Sequence, residues 1–143
     1  MKLEIDFSAN KDCADIVLEV HCNNKKISEY QALAVKQTVC VELDEDPADH
    51  VLRLVMRGKN QTHTVFDDQD QITDDVFIVI DRLEFEELDM REIFCQGQLC
   101  YTHSFNQNQP AILDEFYGLI GCNGTVDIKF FTPIFLWLNE YLH

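Results

Sequence analysis

The sequence predicts an all-β fold: an antiparallel two-sheet β-sandwich of jelly-roll type with a short C-terminal helix. Three observations carry this reading. Apolar and polar residues alternate at period two in many short runs, as in strands with one face against a core. Clusters of Asn, Asp, Gly and Pro separate those runs at hairpin-like intervals. Sustained helical patterning is confined to the stretch after Thr132.

Leu3, Ile5 and Phe7 alternate with Lys2, Glu4 and Asp6, which makes the first strand. Ile16, Leu18, Val20 and Cys22 continue the pattern to Asn23 and Asn24, a pair that tolerates the positive φ of a tight hairpin turn, and Lys25 to Tyr30 returns. Val35 to Glu42 forms the next strand and stops at Asp44-Glu45-Asp46-Pro47; His50 to Arg57 follows, then Gly58-Lys59-Asn60 and a hairpin arm from Gln61 to Phe66. The run from Val76 to Leu88 reads as the central strand, with Val76, Ile78, Ile80, Leu83 and Phe85 inward and Glu84, Glu86 and Glu87 on its polar face. Leu88 to Phe94 allows one helical turn capped by Asp89. Strands are then expected over Gln98 to Phe105, Phe116 to Ile120 and Val126 to Phe130, with a loop over 106–110. Thr132 is positioned to cap a terminal helix over residues 133–142 that has Pro133 at its first position. The total is about nine strands.

At 143 residues with 46% hydrophobic content, the chain suits one domain spanning 1–143. Its 26 acidic and 11 basic residues give a net charge of -15, which disfavours nucleic acid and anionic membrane partners. The start MKLEIDFSAN lacks the apolar core of a secretion signal, so the expected site of synthesis is a cytoplasm, and the six cysteines are expected as thiols.

Asp67, Asp68, Asp70, Asp74 and Asp75 crowd one loop, and oxygen ligands on a loop are what calcium requires. Asp68, Asp70 and Asp74 are the candidate ligands and calcium is the one cofactor considered; a solvated acidic turn is the alternative. The loop is not an EF-hand, because Thr73 stands where that motif needs Gly and Val79 where it needs Glu. Cys100 and His103 lie three apart in a strand, on opposite faces, and form no zinc pair. No nucleophile elbow and no phosphate loop is present, so no catalytic residue is assigned. The aromatic group Phe135, Trp137 and Tyr141 allows three readings: core packing, a partner-binding surface, or a platform for sugar stacking.

The segments DVFIVIDRLEFEELDMREIF, FNQNQP and GCNGTVDIKFFTPIFLWLNEYL resemble small uncharacterised proteins of tailed phages of marine bacteria, cyanophage-like virion accessory proteins, over roughly the second half of the chain. That resemblance implies a non-enzymatic structural or virion-associated protein, made in a host cytoplasm and carried into a particle by contacts with itself or other virion components. The fold class with its acidic loop is also similar to calcium-dependent carbohydrate-binding modules, which implies glycan binding as the alternative function.

Overall fold

The computed structural model of the chain describes residues 1–104 and 109–142. In chain order it contains β1 (Lys2–Ala9), β2 (Cys13–Cys22), β3 (Lys25–Ala32), β4 (Gln37–Glu42), β5 (Ala48–Arg57), a 3-10 turn (Gln61–His63), β6 (Val65–Phe66), β7 (Ile72–Asp74), β8 (Ile78–Phe85), β9 (Leu88–Asp89), α1 (Arg91–Phe94), β10 (Gln98–His103), β11 (Ile112–Phe116), β12 (Leu119–Ile120), β13 (Gly124–Thr132) and α2 (Ile134–Leu142). One sheet runs β12-β8-β1-β4, with β9 also on β8; a six-stranded sheet runs β11-β10-β13-β5-β2-β3; β6 and β7 form a separate ribbon. All the strand pairs are antiparallel, and the expected jelly-roll-type sandwich is what forms.

Period-two alternation turns one side of each strand to a shared core. Leu3 and Ile5 of β1 and Leu83 and Phe85 of β8 meet Leu18 and Val20 of β2, Leu52 and Leu54 of β5, and Val126 and Ile128 of β13, all essentially without solvent exposure. Phe85 and Phe130 join the two sheets with ring centroids 4.7 Å apart. Asn23 and Asn24 adopt φ of 52° and 68°, so the β2–β3 hairpin turns as their residue type requires. All six cysteines are free, and burial pushes the Cys95 thiol up to about 12 and that of Cys100 to about 11.

Several local expectations are corrected. The run from Val76 yields a strand only over Ile78–Phe85, in which the inward pattern skips from Ile80 to Leu83 because the β1–β8 register shifts between Asp6 and Phe7. Glu86 and Glu87 are not on a strand face: with φ of 50° and 66° they make the tight turn into β9. The stretch from Phe116 to Ile120 is divided at Gly118, φ 85°, between β11 and β12. Asp89 is not the cap of the following turn: Met90 holds that position, and Asp89, one residue earlier, accepts from the Arg91 amide through Oδ1 at 3.0 Å. The expected loop over 106–110 and the end of the strand before it lie partly outside the described residues.

The helix after Thr132 forms over Ile134–Leu142, one residue later than expected, after a cis Thr132-Pro133 bond. Thr132 does not cap it. Its hydroxyl donates to the Asp46 carbonyl at 2.7 Å and accepts from His50 Nε2 at 3.0 Å. Among the described residues, no helix is long and apolar enough to cross a membrane.

Candidate functional site

The acidic loop forms the tip of the β6–β7 ribbon. Asp67 Oδ1 accepts from the amides of Gln69 at 2.8 Å and Gln71 at 2.9 Å, which closes the turn, and Asp70 sits at φ 59°. Lys11 pairs with the Asp74 carboxylate and holds it below the usual carboxylate range. Burial pushes Asp75 up, but hydrogen bonds from Lys59 Nζ at 2.6 Å and Thr64 Oγ1 at 2.8 Å bring it below its ordinary value. The same Lys59 ammonium donates to the carbonyls of Val76 and Gly121, so the base of the ribbon is fastened to the sandwich. The three candidate ligands are not gathered: Asp68 and Asp70 are exposed in the turn and Asp74 is engaged by Lys11.

Among the described residues, one trio of donor side chains does converge. Cys13, Asp15 and His63 bring one ligand atom each within 4.8 Å of one another. No sequence spacing announces this set, because it joins the start of β2 to a turn nearly fifty residues later.

A shallow groove lies on the outer face of the six-stranded sheet. Register places Lys26, His21, Arg53 and Asp127 side by side across β3, β2, β5 and β13. The next row sets Glu29 directly opposite Glu19. Arg57 reconciles these like charges, with Nε 2.7 Å from Glu19 Oε2 and Nη2 2.7 Å from Glu29 Oε1. It is the main reason that the Glu19 carboxyl lies below the ordinary range, followed by the His21 ring 3.0 Å away. Arg53 makes a forked pair with Asp127, at 2.6 and 2.9 Å. Between these rows lies a cavity of about 310 Å³ lined by Glu19, His21, Asn24, Val51, Arg53 and Val55. Glu19 and His21 are legible in the sequence as the outward alternation of β2 and Asn24 as a turn residue, but which positions of β5 join them depends on strand order.

The C-terminal aromatic residues separate into two classes. Trp137 stacks on Phe94 at 5.5 Å and on Tyr141 at 5.2 Å, with interplanar angles of 16° and 21°. Both faces of the indole are therefore covered. Phe135 is 65% exposed; Tyr141, seven residues after buried Ile134 and so on nearly the same face of α2, is 46% exposed and stacks on Trp137.

No protein-family model matches the chain, and no curated protein matches it. Among solved structures, vCBM60 in complex with galactobiose matches over 89% of this chain and 96% of that one, at TM-score 0.51 and 9% identity. A selenomethionyl form of vCBM60 matches over 88% of this chain and 87% of that one, at TM-score 0.51 and 7% identity; it is described with circular permutation as a link between two families of calcium-dependent carbohydrate-binding modules. The phage resemblance receives no support from these comparisons. What this chain shares with both structures is the β-sandwich fold.

Proposed function

We propose that this chain is a non-catalytic carbohydrate-binding module whose ligand lies in the groove between β2 and β5. The observation that carries the reading is the groove itself. Val51 and Val55 offer apolar contact for the C–H face of a sugar, while Glu19 supplies acceptors and His21 and Arg53 supply hydrogen-bonding nitrogens at the height of its hydroxyls. Arg53 uses Nε and Nη2 on Asp127, which fixes its plane and leaves further N–H groups for a ligand. The fold shared with vCBM60 supports this reading over assembly into a particle. Calcium is the cofactor that the likeness to calcium-dependent modules suggests, with Asp68, Asp70 and Asp74 as its ligands; the exposed turn would have to close around the ion and Lys11 release Asp74.

The test is titration of the full chain with galactobiose, followed by backbone NMR. Shift changes centred on His21, Val51 and Arg53, with binding weakened at least about tenfold in Arg53→Met, support the groove. Absence of shifts across a panel of di- and oligosaccharides, or shifts centred elsewhere, overturns it.

A second reading, contact with a protein through α2, rests on the exposure of Phe135, Leu136, Tyr141 and Leu142. It expects a concentration-dependent mass by light scattering that falls to the monomer value in Phe135→Ser; a monomer at all concentrations removes self-association.

A further inference from the structure

The meeting of Cys13, Asp15 and His63 is produced by three local features. The β2–β3 pairing jumps between Cys13 and Val17, which lifts the first residues of β2 out of regular register. Gly58 then passes so close that a Cβ on it would lie 1.9 Å from the Asp15 carbonyl oxygen, and its φ of 91° suits glycine alone. Finally, the 3-10 turn is fixed by a reciprocal cap: Asn60 Oδ1 accepts from the Thr62 amide at 2.9 Å, and the Asn60 amide donates to His63 Nδ1 at 3.0 Å. That last bond leaves Nε2 as the nitrogen facing Asp15.

We propose that Cys13, Asp15 and His63 form a binding site for a zinc-class transition metal, separate from the glycan groove and independent of it. The donor set is one thiolate, one imidazole and one carboxylate, which suits a borderline-soft divalent ion and offers calcium only one hard side chain. Three protein ligands leave a fourth, solvent-facing position. His63 Nε2 and Asp15 Oδ2 lie 3.4 Å apart, long for a hydrogen bond. Donor atoms about 2.0–2.3 Å from a tetrahedral zinc stand roughly 3.3–3.7 Å from one another, so this edge already has ligating length. The remaining separations, within 4.8 Å, need a contraction of about 1 Å. The Asp15 side chain, 74% exposed, has room to make it.

A Cys–His–Asp nucleophilic triad is not formed by these residues. Such a triad uses both ring nitrogens, one on the carboxylate and one on the thiol, whereas here Nδ1 is taken by the Asn60 amide. The same bond predicts a structural mark of loading. In the empty site Nδ1 accepts, so the ring proton is on Nε2; metal at Nε2 displaces that proton, Nδ1 becomes the protonated nitrogen, and the Asn60 amide must turn to water. Asn60 is exposed, so water is at hand.

The experiment is titration of the reduced, chelator-treated full chain with cobalt(II), then zinc(II), with amide NMR of the zinc form. Expected are one cobalt per chain with a thiolate-to-cobalt absorption band, displacement by one equivalent of zinc, and a shifted Asn60 amide. Cys13→Ser and His63→Gln each abolish the band with unchanged far-UV circular dichroism, Asp15→Asn weakens binding at least about tenfold, and Cys40→Ser leaves it intact. The proposal is overturned by a missing band, by its survival in Cys13→Ser or His63→Gln, by unaltered affinity in Asp15→Asn, by its loss in Cys40→Ser, or by equal displacement with calcium.

Discussion

Arg82 grips Asp6 at two points, with Nε 2.9 Å from Oδ2 and Nη2 3.1 Å from Oδ1. Asp6 belongs to the outward side of β1, yet its side chain is only 7% exposed. Thr38 Oγ1 donates to Oδ1 at 2.7 Å, and Lys36 lies 3.5 Å from Oδ2. A carboxylate so enclosed is retained because donors from two neighbouring strands and a nearby ammonium surround it.

These contacts, the Arg82 guanidinium first, hold the Asp6 carboxyl at about 2. The folded value lies below the unfolded one, so the stabilisation is complete above about pH 4 and is lost as pH falls toward 2, a contribution on the order of 2 kcal/mol. Urea unfolding from pH 7 to pH 2 should show this loss, and Asp6→Asn should flatten that part of the profile while lowering stability at neutral pH.

Arg57 is the only group among the described residues that pairs with both Glu19 and Glu29. Arg57→Met should lower the melting temperature, and more at low salt than at high salt, because the two directly opposed carboxylates then lose the cation they share and keep only Lys26 beside Glu29 and His21 beside Glu19. Melting curves across a sodium chloride series measure the difference.

Trp137 and Phe135 share α2 but should behave differently. Trp137→Ala removes a ring stacked between Phe94 and Tyr141 and should cost about 2–3 kcal/mol. Phe135→Ser alters an exposed side chain and should stay within about 0.5 kcal/mol of the parent. Denaturant midpoints of the two variants check this directly.

Lys11 competes with any cation for Asp74. If Asp68, Asp70 and Asp74 hold calcium, the rise in melting temperature with millimolar calcium should be larger in Lys11→Met than in the parent, and absent in Asp70→Asn. Thermal melts with calcium and with chelator provide the comparison.

Gly58→Ala should destabilise the chain by about 2 kcal/mol or more, since it combines a left-handed φ with a backbone collision at Asp15. The same substitution should weaken cobalt binding by displacing the start of β2.

Strand existence was legible because alternation is local: Leu3, Ile5 and Phe7 declare their face without reference to any partner. The Asn23-Asn24 turn was legible for the same reason, since its φ values depend on residue type. Glu86 and Glu87 give no such signal, because glutamate carries no preference for positive φ and the turn there is imposed by β9 pairing back on β8. The skip from Ile80 to Leu83 was visible in the sequence, and its cause is a register shift against β1. The groove and the Cys13–Asp15–His63 meeting were not legible, because both depend on which strands become neighbours. Sequence spacing contains no information on that adjacency without a turn or motif to mark it.

The hydrogen bonds that divert Thr132 from capping α2 extend further. His50 Nε2 reaches Thr132, His50 Nδ1 accepts from Asn23 Nδ2 at 2.9 Å, and Asn23 Oδ1 accepts from the Val51 amide at 2.9 Å. Thr132 donates in turn to the Asp46 carbonyl at 2.7 Å, with the Ala48 carbonyl at 3.5 Å, so the line runs on to the start of β5. The tip of the β2–β3 hairpin and the root of α2 therefore form a single mechanical unit. A lengthened hairpin turn would be transmitted to the root of α2, and a tag fused after α2 would pull on the edge of the groove lined by Asn24 and Val51.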